Sequence, residues 1–158
     1  MKNAWLIGLL ALASCAQSDT MRTSSNEMVV STRAAPICGG MGAAKVAQRV
    51  AAIETLKAGY DRYVILGADR YNDVRTVQMP GQYNTFGTAT TYGGMTSINA
   101  TTTYTPGPTF VAGGHHQSLR VRMFREGEPG ANNALSARAA LGPEWERAVK
   151  NGVSHCGD

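Results

Sequence analysis

Between Arg75 and Arg120 the chain carries not one Asp, Glu, Lys or Arg. A run that neutral cannot steer a charged ligand, and the mild overall excess of positive charge is no argument for nucleic acid, which needs a dense basic stripe. Cysteine is also scarce, with three residues, Cys15, Cys38 and Cys156. No apolar run reaches the roughly 20 residues of a membrane-spanning helix, since the longest, Ala4 to Ala13, is half that length. The phosphate-cradling patterns are missing too. Cys38-Gly39-Gly40-Met41-Gly42 has no preceding strand and no Gly-Lys-Ser/Thr, and Lys45 stands where a dinucleotide fingerprint needs its third glycine.

What is there begins at the N-terminus. Lys2 precedes the apolar run, as in a signal peptide. Leu12-Ala13-Ser14-Cys15 follows it and resembles the bacterial lipobox: a branched apolar residue, two small ones and the cysteine. The resemblance implies cleavage after residue 14 and lipidation of Cys15, with diacylglycerol on the thiol and an acyl chain such as palmitate on the new amine. Two or more chains hold a protein stably on a bilayer, each buried methylene adding about 0.8 kcal/mol. The expected location is therefore a bacterial envelope, anchored through lipid. Ala16, in place of the aspartate that resembles an inner-membrane retention signal, points to the outer membrane.

Removing residues 1–14 takes one of 15 basic residues with it, leaving 14 against 11 acidic, a net charge of +3. The remainder suits one modest domain. Residues 15–36, mixed in Ser, Thr and scattered charge, read as a lipidated flexible tether, although Met28-Val29-Val30 could add an edge strand. Residues 37–158 read as the domain.

Within it, Val46, Val50, Ile53 and Leu56 recur at helical steps from Ala43 to Ala58, with Gly59 placed as a left-handed cap. Tyr63 to Leu66 reads as a central strand covered on both faces. Gln117 to Met123 alternates, which puts Leu119, Val121 and Met123 on a core and Arg120 and Arg122 outside. Asn132 or Asn133 is expected to cap a helix reaching Ala139. Pro143 is expected to start a last helix carrying Trp145, with Gly152 ending it. The expected fold is α+β, a small antiparallel sheet with helices packed on one face and a long uncharged insertion.

The segment Glu54-Thr55-Leu56, with Gly59-Tyr60-Asp61 and the aromatic Tyr63, resembles a helix-to-strand unit of small proteobacterial lipoproteins of no established activity. It departs from their pattern by an extra Ile53. The resemblance implies location and fold and no catalytic residue.

Residues 76–119 form the uncharged insertion, with ten threonines in the twenty-five residues from Thr85 to Thr109. It reads either as a mobile loop or as a β-ribbon. As a ribbon it would offer Thr hydroxyls and the rings of Tyr83, Tyr92 and Tyr104 to a neutral partner, another envelope protein or a glycan. No cofactor or metal site is expected. His115 and His116 are adjacent on a strand and so point to opposite faces, and nothing in their spacing makes Asp69, Asp73 and His155 converge.

Two readings of Cys38 stay open. Once Cys15 is lipidated, Cys38 and Cys156 are an even pair in an oxidising compartment, and a disulfide would tie the two ends of the domain together. Alternatively, Cys38 near a helix start is a nucleophile with His116 or His155 as base, making the protein an envelope hydrolase. The primary expectation is a non-enzymatic binding or structural module of the outer membrane. A subunit of a secretion or surface assembly is the third reading.

Overall fold

The computed structural model describes residues 16–153, 155 and 156, so Cys15 and the lipobox lie outside the described residues. The described chain divides into two compact units, one made of the segments up to Asp73 and from Gly113 onward, the other of Val74–Ala112.

In the first unit, strands β1 (Ala16–Arg22) and β2 (Glu27–Ala34) form a hairpin, and the long helix α1 (Gly39–Lys57) leads to β3 (Arg62–Asn72). In the second unit, β4 (Arg75–Gln78), β5 (Gln82–Tyr92), β6 (Met95–Thr105) and β7 (Thr109–Ala112) follow in turn. The chain re-enters the first unit as β8 (His115–Phe124), then makes the two-residue β9 (Leu135–Ser136) and the short helices α2 (Ala137–Leu141) and α3 (Trp145–Asn151). The five strands of the first unit form one antiparallel sheet in the order β1-β2-β8-β3-β9. The α+β class and an antiparallel sheet packed with helices agree with the sequence reading.

Residues 16–36 are not a tether. Alternation decides it: Met28, Val30, Thr32 and Ala34 are buried while Ser31 and Arg33 are exposed. The polar residues that looked like linker composition are the solvent face of a strand, whose register with β8 sets Val30 opposite Leu119 and Met28 opposite Val121.

Helix α1 covers that apolar face. Val46, Ala47, Val50, Ala51 and Ile53 are buried against the sheet, and the alanines let the backbone approach closely. Each Val, Ile or Met side chain so buried contributes roughly 1.5–3 kcal/mol. Thr55 is also buried and satisfies its own hydroxyl by donating to the Ala51 carbonyl at 2.7 Å. The helix ends in a Schellman motif, in which the Tyr60 N–H reaches the Thr55 carbonyl and the Gly59 N–H reaches that of Leu56. Gly59 has φ of 81°, a conformation glycine adopts without cost.

Tyr63 is fully buried on the helix side of β3, but Leu66 is 44% exposed, so this strand is covered on one face and not two. A bulge between Ile65 and Gly67 inserts Leu66 out of phase, and Val64, paired with Arg122, also faces outward. The helix expected from Asn132 or Asn133 through Ala139 is also revised. Ala131–Asn133 form a single 3-10 turn, and Ser136 caps α2 by accepting from the Ala139 N–H. Placing β9 beside β3 and starting the helix late lets Ala137 donate to the Asp61 carbonyl at 3.0 Å.

The residues resembling the lipoprotein unit have structural roles here. Glu54 pairs with Lys57 at 2.9 Å, the Tyr60 hydroxyl donates to the Ser25 carbonyl, and Asp61 accepts from the Glu126 N–H.

Candidate interaction surface

The uncharged insertion is a ribbon. β5 and β6 pair from Gln82 opposite Thr105 to Tyr92 opposite Met95 without a register shift, and Gly93 and Gly94 close the turn at φ of 59° and 82°. Two successive positive φ angles are what a tight hairpin turn of the hand matching strand twist needs. β4 and β7 pair separately, from Arg75 opposite Ala112 to Gln78 opposite Thr109. The ribbon unit spans Val74–Ala112, whereas the neutral stretch runs on to Leu119 because its last residues belong to β8.

Every residue of β5 and β6 is exposed. Tyr83 and Tyr104 face each other across the strands with ring centroids 4.8 Å apart. Thr85 bonds Thr102 and Thr91 bonds Thr96, each hydroxyl pair at 2.9 Å. These three pairs share one face with Gly87, Ala100, Ala89 and Ile98. Cross-strand aromatic and Thr-Thr pairs of this kind are the local glue of a sheet. Tyr92 lies beside the turn at 90% exposure, so the three tyrosines divide, two in tilted contact at the ribbon base and one open at its tip.

A second surface lies on the sheet face opposite α1. The registers set Gln17, Arg33, His116 and Tyr71 in one row across four strands, and Asp19, Ser31, Ser118 and Asp69 in the next. These residues line a groove of about 770 Å³. Next to His116, Asp73 accepts from the Gly114 N–H at 2.7 Å and lies 3.3 Å from His116 Nε2. The Gly114 hydrogen bond above all, with His116 and the Arg33 charge assisting against the cost of burial, holds the Asp73 carboxyl below its usual range. Tyr71 tilts over the His116 ring at 5.7 Å. Reading residues 16–36 as tether hid this groove, because half of it is β1 and β2. The polar alternation of Gln17, Asp19, Ser31 and Arg33 was the available signal.

Cys38 is bonded to Cys156, across 118 residues of sequence, with Cα atoms 5.6 Å apart. The disulfide reading holds, and Cys38 is not a free thiolate nucleophile. The glycines after it serve that bond. A Cβ on Gly42 would stand 3.1 Å from the Cβ atoms of both cysteines, so glycine lets the bridge lie against α1. Of the two candidate bases, His116 is engaged with Asp73 and Tyr71, while His155, beside Cys156, is exposed. Asp69 lines the groove, and Asp73 contacts His116, which lines it too. Among the described residues no three His, Cys, Asp or Glu side chains converge as metal ligands.

Arg120 and Arg122 are exposed on the outer face of β8, as the alternation implies. Arg122 pairs with Glu27 at 2.6 Å, and Arg125 lies 5.2 Å over the Tyr60 ring. No family model, no curated protein and no solved structure matches this chain.

Proposed function

We propose that this protein is a non-enzymatic, lipid-anchored module of the bacterial outer membrane whose β5–β6 ribbon engages a neutral partner surface in the envelope. The observation that carries the reading is the ribbon itself: two 11-residue strands, exposed throughout and without a single charged side chain. Such a segment is costly to leave bare, because an unprotected strand edge with apolar side chains invites pairing. Its exposed Tyr, Phe86, Ile98 and Met95 supply apolar contact, and its threonines supply hydroxyls that need no counter-charge. The anchor rests on the lipobox-like residues ending at Cys15.

Capture from membranes tests the ribbon. The tagged full chain is compared with a variant in which a two-glycine turn replaces residues 82–105, and partner recovery is expected to fall at least tenfold in the variant. Unchanged recovery would reduce the ribbon to a surface loop. Cys15→Ser tests the anchor by fractionation, and the variant is expected to leave the membrane pellet with its disulfide intact.

A further inference from the structure

The two units treat their strand edges differently. Natural sheets blunt exposed edges with charge, short strands, proline or bulges. The five-stranded sheet uses several of these devices. Its outer strand β1 carries Asp19 and Arg22, its other outer strand β9 has two residues, and the uncovered part of β3 is bulged at Leu66 and bears Asp69 and Arg70. β5 and β6 use none of them. They form a sheet of two strands, unbroken by a bulge and free of charge, with Pro80 and Pro106 lying just outside the strands.

From this contrast we propose that the outer edge of β6 pairs, antiparallel, with the same edge of a second copy of this chain, joining two ribbons into one four-stranded sheet. The inference rests on the reading that the ribbon is the binding element, and it names the partner.

Hydrogen-bond geometry supplies the donors and acceptors. A two-residue turn makes its flanking pair, Tyr92 and Met95, a hydrogen-bonded one. Alternate residues of β6, namely Thr96, Ile98, Ala100, Thr102 and Tyr104, therefore direct their N–H and C=O groups away from β5. These form an unpaired row along a strand roughly 37 Å long, at about 3.4 Å per residue. A lone two-stranded ribbon is marginally stable in water, and a third and fourth strand remove that weakness.

Neutrality selects the partner. Complementary charge is the usual means of selecting a different protein, since it gives specificity and speeds encounter, and the ribbon carries none. Copies of one segment bring identical side chains together around a two-fold axis, where a single-sign charge repels itself. A surface with no charge satisfies that constraint in every register. β6 is favoured over β5 because β5 has Gly87 at mid-strand, which weakens pairing, whereas β6 has neither glycine nor proline. Ala100, at the centre of the outward row, adds little side-chain bulk.

The test is sedimentation velocity of the full chain purified in detergent, over a hundredfold range of concentration. The native sequence is expected to pass from monomer to dimer. Ala100→Pro deletes an outward N–H without touching the β5–β6 ladder, and it should shift the transition at least tenfold higher in concentration. Ala100→Lys keeps every backbone group. It should do the same at low salt and recover in part at 1 M NaCl, where the screening length falls to about 3 Å. Ala89→Pro, the corresponding change on β5, should dimerise like the native chain.

A native chain that stays monomeric throughout, a dimer that survives both Ala100 variants, or one lost only with Ala89→Pro would overturn the proposal. If the chain is monomeric while a different membrane partner is still lost on ribbon replacement, self-pairing fails and the ribbon reading stands. If ribbon replacement alters neither measurement, both fail.

Discussion

Tyr83 and Tyr104 lie ring against ring at 4.8 Å across β5 and β6, and the Tyr104 ring closes over Gly81 at the point where the ribbon begins. Beside them, a Cβ built on Gly107 would overlap the carbonyl oxygens of both Met79 and Pro80. The base of the ribbon is thus fixed by two glycines that admit an aromatic ring and a neighbouring backbone.

Gly107→Ala is expected to loosen this base, because the new methyl meets backbone that cannot move aside as a side chain could. Limited proteolysis should cut within residues 79–108 at least several-fold faster than in the native protein. The urea midpoint of the disulfide-tied domain should hold. Native cleavage rates in the variant would mean that the close approach carries no weight.

Breaking the Cys38–Cys156 bond should destabilise the domain substantially. Closing a loop of 118 residues is worth about 5 kcal/mol in the chain-entropy picture, and removing a native disulfide from a small secreted domain typically costs 2–5 kcal/mol. Urea titrations of the Cys38→Ser, Cys156→Ser double variant should show that loss. A midpoint equal to that of the native protein would contradict it.

The core offers a contrast between two fully buried residues. Met123→Ala leaves a cavity under α1 and should cost about 2–5 kcal/mol. Tyr63→Phe should be neutral or slightly stabilising. The buried Tyr63 hydroxyl has no hydrogen-bond partner among the described residues; Gln48 faces it without completing a bond, and burial pushes the phenol pKa up. Removing an unsatisfied buried hydroxyl avoids its desolvation penalty. Paired denaturation curves check both, and a loss above about 1.5 kcal/mol for Tyr63→Phe would mean that the hydroxyl is satisfied.

Asp73 gives the first unit an acid-sensitive joint between β3 and β8. Its carboxyl is lowered first by the Gly114 N–H and then by His116 and Arg33, with burial opposing. A depressed carboxyl stabilises the fold fully above its unfolded pKa of about 3.9, and that contribution fades as pH falls through the lower folded value. Melting temperatures should therefore drop below about pH 4, and Asp73→Asn should flatten that limb. Parallel curves for the two proteins would rule Asp73 out as a contributor.

How much of this was legible beforehand depends on the range of the interaction responsible. Helix α1, its glycine stop, and the burial of Leu119, Val121 and Met123 follow from periodicity within a few residues, and the sequence alone determined them. The pairing of Cys38 with Cys156 was one of two readings the sequence left open, and the close approach of their Cα atoms in the fold decides it. The assignment of residues 16–36 failed because Ser, Thr and Asn composition outweighed a four-residue alternation, and only the register with β8 makes those residues a strand. Likewise, the groove exists because three strands distant in sequence align Arg33, His116 and Tyr71 in one row. The neutrality of the insertion was plain from residue types, but its form as a ribbon depends on cross-strand bonds between residues up to 23 apart, from Gln82 to Thr105. Local pattern determined which faces are apolar; tertiary pairing decided which strands present them, because hydrogen-bond partners across a sheet are chosen by the whole chain.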